Sequence, residues 1–473
     1  MLTVPSCVLA RPLSDPPAMA KPLRWLAALL LLTLASAAPL SDSKRAVQVP
    51  VASHVVRLTK NTVSGSRTLS STRIRKFRAL TDGTASSAVG IATALPVHYQ
   101  AEYLVEVNAG GNNYSLLIDT GSSDTWFVRD DFQCLDAYLR VVHVSYCNLG
   151  PYFKGDFPGG RIPEQHFNIT YGGVDGPFLN GLMGYSEYAL LPARELRSHI
   201  LTRAAYSLTV AGVTIPKQQI ALATLGIWTG DGISSGILGL GLPGLTEAFV
   251  GKSPIEDGLQ NLVNYSPVVT TVATQLNKSI FSLGLSRNSS ESFLALGGVP
   301  HHVKVGSYAN VPIQKMPKSF GGSDYFYYAL TPDSLVWNSS RSRVQQETLP
   351  QVIVDSGTSL NVFPYGEFCQ IARSINEHFI PKAVYTTPLG GWFVPCNAKP
   401  PSFGVKIGGQ MFWTDPASMI LPEVRDLATG NCATGIGATD DGSLYILGDV
   451  FMQGLVAVFD VGPNMEMRFA KRI

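Results

Sequence analysis

The stretch "YSLLIDTGSSDTWFV", residues 114–128, decides the reading. Leu116, Leu117 and Ile118 run straight into a carboxylate, Asp119, followed by Thr120, Gly121, Ser122 and Ser123, and then by Trp126, Phe127 and Val128. An apolar strand that ends on an acid and several hydroxyls directs polar groups toward the protein interior, where they need partners. Asp119 therefore calls for a second group elsewhere in the chain.

A second copy supplies it. "QVIVDSGTSLNVFP", residues 351–364, sets Val352-Ile353-Val354 against Leu116-Leu117-Ile118, and Asp355-Ser356-Gly357-Thr358-Ser359 against Asp119-Thr120-Gly121-Ser122-Ser123. Each copy has a downstream echo: "SGILGLGLP" (235–243) after the first and "LYILGDVF" (444–451) after the second. Two matched halves with one carboxylate each predict a bilobal protein in which the two acids meet at a pseudo-two-fold axis. Short Val/Ile/Leu/Tyr/Phe runs punctuated by Gly, Pro, Asn and Asp predict mainly β structure in both lobes.

Two carboxylates a hydrogen bond apart cannot both ionise, so they share one proton. The charged oxygen then deprotonates a water aimed at a carbonyl, while the protonated acid stabilises the developing oxyanion. Asp119 and Asp355 are the catalytic candidates. Thr120 and Ser356 are expected to brace the two loops, and Ser122 and Thr358 to donate to the outer carboxylate oxygens. Gly121 and Gly357 let backbone approach where a Cβ would not fit. This chemistry needs no metal or cofactor, and neither His-Glu-x-x-His nor paired Cys-x-x-Cys spacing occurs.

Residues 95–473 resemble the pepsin-like aspartic proteases of secreted fungal type. The motifs are "LLIDTGSSDTWFV", "ITYGG", "GILGLGLP", "VIVDSGTSLNVFP" and "ILGDVFMQGLVAVFDVGPNMEMRFA". That family's dyad is a standard example of carboxylates sharing a proton. The resemblance implies two β lobes with a cleft for an extended peptide between them, an acidic optimum, and protein and peptide substrates. It further implies inhibition by pepstatin-like compounds and a monomer without nucleic-acid partners. It makes "FNITYGGVDGPFLNGLMGYSEYAL" (167–190) a flap closing the cleft, with Tyr171 over the aspartates, Gly172 at the tip and Trp126 bonded to Tyr171. The tip departs from the usual Tyr-Gly-Thr-Gly-Ser, since Gly173 replaces a hydroxyl residue and Asp175 and Pro177 are added. Asp124 stands where Asn is common, and is expected to pair locally or be solvated. Aromatic candidates for the cleft wall are Tyr171, Phe178 and residues of "DYFYYAL" (324–330).

The 473 residues suit two lobes preceded by a leader. "MAKPLRWLAALLLLTLASAA" (19–38) has the charged, apolar and small-residue order of a secretory signal, with Met19 a second candidate initiator. Its apolar core is too short for a membrane anchor. Residues 1–80 hold 12 Lys/Arg against 2 Asp/Glu, and the remainder 24 against 32, a balance of −8. A basic leader on an acidic body reads as a pro-segment over 39–85. The first lobe then spans 86–287 and the second 288–473. Lys76 and Phe77, in "RKFRAL", are expected to occupy the cleft of the precursor. The protein is expected to be secreted, with a vacuole as the other destination.

Of six cysteines, Cys7 precedes the signal. An oxidising compartment favours bridges, and the nearest pairings are Cys134–Cys147 and Cys396–Cys432, with Cys369 left as a thiol. Sequons stand at Asn113, Asn168, Asn264, Asn277, Asn288 and Asn338. Two other readings compete. A catalytically silent homologue acting as a binding or inhibitor module would lack one aspartate or its hydroxyl neighbours, yet both sets are present. "GISSG" (232–236) fits a serine-hydrolase elbow, which needs a helix starting at Ser234, but an apolar, glycine-rich run follows.

Overall fold

The computed structural model describes residues 49–62, 101–172, 176–186, 207–251, 254–317, 323–338, 342–345, 349–364, 370–386, 390–426, 428–439 and 445–473. The signal region, Lys76, Phe77, Cys7, Cys369 and the flap-tip residues Gly173 and Asp175 lie outside them.

The protein is mainly β and bilobal, and the two halves repeat one local arrangement. In the first, the strand Asn112–Asp119 delivers the aspartate, and the chain turns through Thr120–Thr125 into the strand Trp126–Leu135. The short strand Gly236–Gly239 slots between these two, parallel to the first (Ile118 opposite Leu238) and antiparallel to the second (Ile237 opposite Trp126). In the second half, the strand Val352–Val354 leads to Asp355, Asn361–Pro364 leaves, and Tyr445–Leu447 inserts between them (Ile353 and Val362 both opposite Ile446). Strands walled in on both edges and both faces are apolar throughout rather than alternating. That is why Leu116–Ile118 and Val352–Val354 read as continuous hydrophobic runs.

The Ile-Leu-Gly echoes now have a physical cause. A Cβ on Gly239 would stand 2.4 Å from the carbonyl carbon of Ser123, and one on Gly448 would stand 2.2 Å from the Thr358 carbonyl oxygen. The inserted strand passes so close beneath each aspartate turn that no side chain fits at its last residue. Leu240 N–H then bonds the Asp119 carbonyl at 2.7 Å, and Asp449 N–H bonds the Thr358 carbonyl at 2.9 Å.

Around the first unit the described residues form a thirteen-stranded sheet, which includes the hairpin Arg161–Thr170 and Phe178–Tyr185. Around the second they form smaller sheets of four and five strands. A six-stranded sheet joins the lobes, in the order His54–Arg57, Phe293–Leu296, Ile280–Gly284, Leu455–Asp460, Glu466–Lys471 and Ala309–Pro312. Its first strand comes from the expected leader: His54 pairs with Leu296 and Arg57 with Phe293. The next strand, Thr59–Thr62, pairs antiparallel with Ala101–Leu104. Cys134 is bonded to Cys147 and Cys396 to Cys432, with Cα atoms 5.9 and 5.0 Å apart, both ordinary disulfide spacings.

"GISSG" precedes a strand, Gly236–Gly239, and the Ser234 hydroxyl donates to Asp231 at 2.7 Å. The elbow geometry is missing. A short helix runs over Ile371–Asn376 and buries Ile371 and Ile375.

Candidate active site

The two aspartate loops meet head to head across the axis. The Thr120 hydroxyl donates to the Val354 carbonyl at 2.9 Å and accepts the Ser356 N–H at 2.9 Å. Reciprocally, the Ser356 hydroxyl donates to the Ile118 carbonyl at 3.0 Å and accepts the Thr120 N–H at 3.2 Å. Two of these four buried bonds tie each loop to the strand that feeds the other, and two tie loop to loop. Within each loop the carboxylate is held by a short-range pair. Asp119 accepts from Gly121 N–H (2.8 Å) and the Ser122 hydroxyl (2.5 Å), and Asp355 accepts from Gly357 N–H (2.8 Å) and the Thr358 hydroxyl (2.7 Å).

The closeness of the acids is visible at the two glycines. A Cβ on Gly121 would lie 2.6 Å from the Asp355 carboxyl carbon, and one on Gly357 would lie 2.4 Å from a carboxyl oxygen of Asp119. Each glycine therefore makes room for the other lobe's acid. Asp119 and Asp355 are 5% and 7% exposed. Burial, and then the charge of Asp355, push the Asp119 carboxyl well above its ordinary value. Replacing Gly121 by Ala should force the loops apart and lower kcat/KM by about 100-fold or more, since small misplacements of reacting groups cost that much. Steady-state kinetics at pH 4 would show it.

Tyr171 directly follows the first strand of the hairpin, Arg161–Thr170, and its hydroxyl oxygen accepts the Trp126 indole N–H at 2.7 Å. Trp228 packs edge-on against both, with ring centroids 5.3 Å from Tyr171 and 5.4 Å from Trp126. Gly172 adopts φ +70°, which begins the reversal toward the tip. Tyr171→Phe would strand the buried indole N–H, at a cost of about 1–3 kcal/mol in the closed flap. The expected outcome is a kcat/KM fall of roughly tenfold, with the melting temperature lowered by about a few degrees.

Trp228 was passed over by the sequence reading, whereas Tyr327 and Tyr328 belong to the "DYFYYAL" stretch named for the cleft wall. Trp228 sits in "GIWTG", which belongs to no pattern. Tyr327 lies near both aspartates, whose charges, after burial, hold its hydroxyl at about 12. Tyr328, its neighbour, is fully buried and donates to the Leu240 carbonyl at 2.6 Å, so it belongs to the core beneath the dyad rather than to the cleft wall. Asp124 is neither locally paired nor solvated. It is fully buried and accepts from the Tyr265 hydroxyl at 2.5 Å and the Glu247 N–H at 3.0 Å, partners more than a hundred residues away. Among the described residues no cluster of potential ligands suits a metal ion, and no helix is long and apolar enough to cross a membrane.

The family model of the eukaryotic aspartyl protease matches residues 203–472. A probable aspartic-type endopeptidase of Aspergillus fumigatus is 34% identical over 378 residues, covering 78% of each chain. The chain belongs to the eukaryotic aspartyl protease family. This aspartyl protease is also 26% identical to aspergillopepsin-1 of Emericella nidulans, over 80% of its own length and 81% of that protein. Mouse gastricsin is 25% identical, over 78% and 81%. In fold it is similar to the crystal structure of the aspartic proteinase from Irpex lacteus, with a TM-score of 0.54 at 22% identity, over 78% of this chain and 94% of that one. The family model begins after Asp119 and the hairpin that carries Tyr171. The protein is an aspartic-type endopeptidase of pepsin kind.

Proposed function

We propose that this aspartyl protease hydrolyses peptide bonds at acidic pH through Asp119 and Asp355, and that it is made as a secreted zymogen. The observation that supports the dyad is the reciprocal fit of Gly121 against Asp355 and Gly357 against Asp119, which leaves the two acids close enough to share one proton. One carboxylate takes a proton from a water held between them as that water attacks the scissile carbonyl. The other donates a proton to the oxygen as it becomes an oxyanion. Ser122 and Thr358 donate to the outer oxygens and keep the inner ones for water and substrate. Thr120 and Ser356 hold the loops in register. Tyr171, set by Trp126, covers the dyad, and Gly172 lets the flap tip turn over the peptide backbone. Protein and peptide chains are the substrates, pepstatin-like compounds the inhibitors, and the working form a monomer outside the cytosol.

The zymogen reading is supported by the docking of residues 54–62. A strand of the expected pro-segment fills the edge of the interlobe sheet, and Lys60 reaches Glu423 of the second lobe at 3.5 Å. Protonation of such lobe carboxylates in acid weakens the hold on a basic leader. The lobes are assigned to 86–287 and 288–473.

The test is cleavage profiling of the secreted protein on a peptide library at pH 4, with pepstatin and a serine-directed phosphonate in parallel. Inhibition by pepstatin alone supports the reading, and inhibition by the phosphonate alone overturns it. N-terminal sequencing of acid-treated precursor carrying Asp355→Asn separates self-conversion from processing by another protease. Efficient conversion of that variant by itself would exclude self-cleavage.

A further inference from the structure

The hairpin that carries Tyr171 is gripped from outside by one carboxylate. Along its first strand, Arg161–Thr170, side chains alternate between faces: Phe167 and Ile169 enter the core, while His166 and Asn168 share the opposite face. Asp257, just after the turn Pro254–Glu256, meets that face. It accepts the His166 Nε2–H at 2.9 Å, the Asn168 amide at 2.7 Å and the Asn261 amide at 3.1 Å. The other His166 ring nitrogen faces the Gly251 carbonyl at 3.0 Å, so the ring donates from both sides. Asn168 passes the hold on, because its amide oxygen accepts from Asn180, directly opposite on the return strand, at 2.9 Å. One side chain thus reaches both strands of the hairpin.

The grip stops at a defined place. Strand Ala248–Val250 pairs with residues 165–167, and the last backbone bond on that edge runs from the Asn168 N–H to the Glu247 carbonyl at 3.3 Å. From Ile169 to Tyr171, backbone pairing among the described residues is with the return segment alone: Leu179, Phe178 and the Pro177 carbonyl. Asn168 is therefore the last residue held from outside, three positions before the tyrosine whose hydroxyl meets Trp126. Below His166 the ladder is irregular. Its register slips between Arg161 and His166, where Glu164 takes φ +57° and its carbonyl accepts the Gly251 N–H at 2.9 Å. A bulged strand can bend at that point, which leaves its outer part to be aimed by side-chain bonds.

We propose that Asp257 is a positioning residue for Tyr171: its hold on His166 and Asn168, relayed to Asn180, fixes the height at which the hairpin carries the tyrosine hydroxyl over the dyad. This role rests on the reading of Asp119 and Asp355 as the dyad and of the hairpin as its cover. The same bonds decide one sequon. Both amide hydrogens of Asn168 are engaged, by Asp257 and by the Pro254 carbonyl at 3.4 Å, so Asn168 carries no glycan in the working enzyme.

The experiment is a double-mutant cycle in kcat/KM at pH 4, with Asp257→Ala and Tyr171→Phe made singly and together. Sites that act separately multiply their effects, whereas a residue that acts through another loses its effect when the other is gone. Asp257→Ala is expected to lower kcat/KM by about tenfold when Tyr171 is present, and by no more than about twofold in Tyr171→Phe protein, where no hydroxyl is left to place. Equal falls in the two backgrounds would mark a merely structural carboxylate and overturn this role alone, as would an Asp257→Ala enzyme as active as wild type. A Tyr171→Phe enzyme as active as wild type would overturn the reading of the hairpin and this role with it. Should Asp257→Ala fail to fold, Asn168→Ala, which cuts the relay and leaves the His166–Asp257 pair, takes its place in the cycle with the same expected direction. Peptide mapping of the active enzyme should find Asn168 unmodified, and a glycan there would overturn the proposal.

Discussion

Asp119→Asn should lower kcat for peptide hydrolysis by roughly 10³–10⁴-fold while leaving KM within a few-fold, and Asp355→Asn should do the same. An amide in either position cannot take the proton of the attacking water, and the remaining carboxyl cannot act as acid and base in one step. The remaining oxygen keeps the Gly121 or Gly357 N–H, and the Ser122 or Thr358 hydroxyl can turn to accept from the new amide, so the mutated side chain stays where it was and peptide binding survives. Asp119→Asn also removes a buried group that burial and the Asp355 charge hold far above its ordinary value. The same variant should therefore melt at a higher temperature than wild type at pH 7, which a general collapse of the site would not produce. Activity within tenfold of wild type would end the dyad reading.

The second large effect is the dependence of stability on pH. Burial is the first cause that raises Glu102 to about 8, Asp124 to about 7 and Glu247 to about 8, and it raises Asp449 well above the ordinary range. Neighbouring acids add to it: Asp231 for Glu102, Asp124 for Glu247 and Asp355 for Asp449. Each binds its proton more tightly folded than unfolded. Its contribution to stability is therefore complete below about pH 4 and lost as pH rises through 7 to 8, at about 1.4 kcal/mol per pH unit per group at most. Several such groups acting together should lower the melting temperature by roughly 10 °C or more between pH 4 and pH 8. Calorimetry on an Asp355→Asn variant, which cannot digest itself, would measure this directly. A melting temperature that is flat or rises over that interval would contradict the reading.

The repeat made much of the site legible. The apolar runs before Asp119 and Asp355 pointed to strands buried on both faces, and the Ile-Leu-Gly echoes pointed to a partner unit in each half. In the structure these become three strands wrapped around each aspartate turn, with Gly239 and Gly448 where backbone crosses backbone. The hydroxyl residues beside each acid were readable because such short-range bonds depend on spacing alone. Ser122 and Thr358 lie three positions after their aspartates in sequence and beside them in space.

Asp124 shows where local reading stopped. Nothing next to it in the chain says that Tyr265 and Glu247 fold over it, and an aspartate after two serines looks like a solvated turn. Trp228 was silent for the same reason, since it joins the site through packing against residues distant in the chain. The sequence by itself determined the duplicated strand–aspartate–glycine units, the chemistry of two acids and their local hydroxyl donors, because these depend on periodicity and on contacts a few residues apart. Only the tertiary structure decided that Gly121 and Gly357 each face the other lobe's acid, and which carboxyl groups lose their water. Burial and charge proximity arise from segments brought together across more than a hundred residues, and no short stretch of chain encodes them.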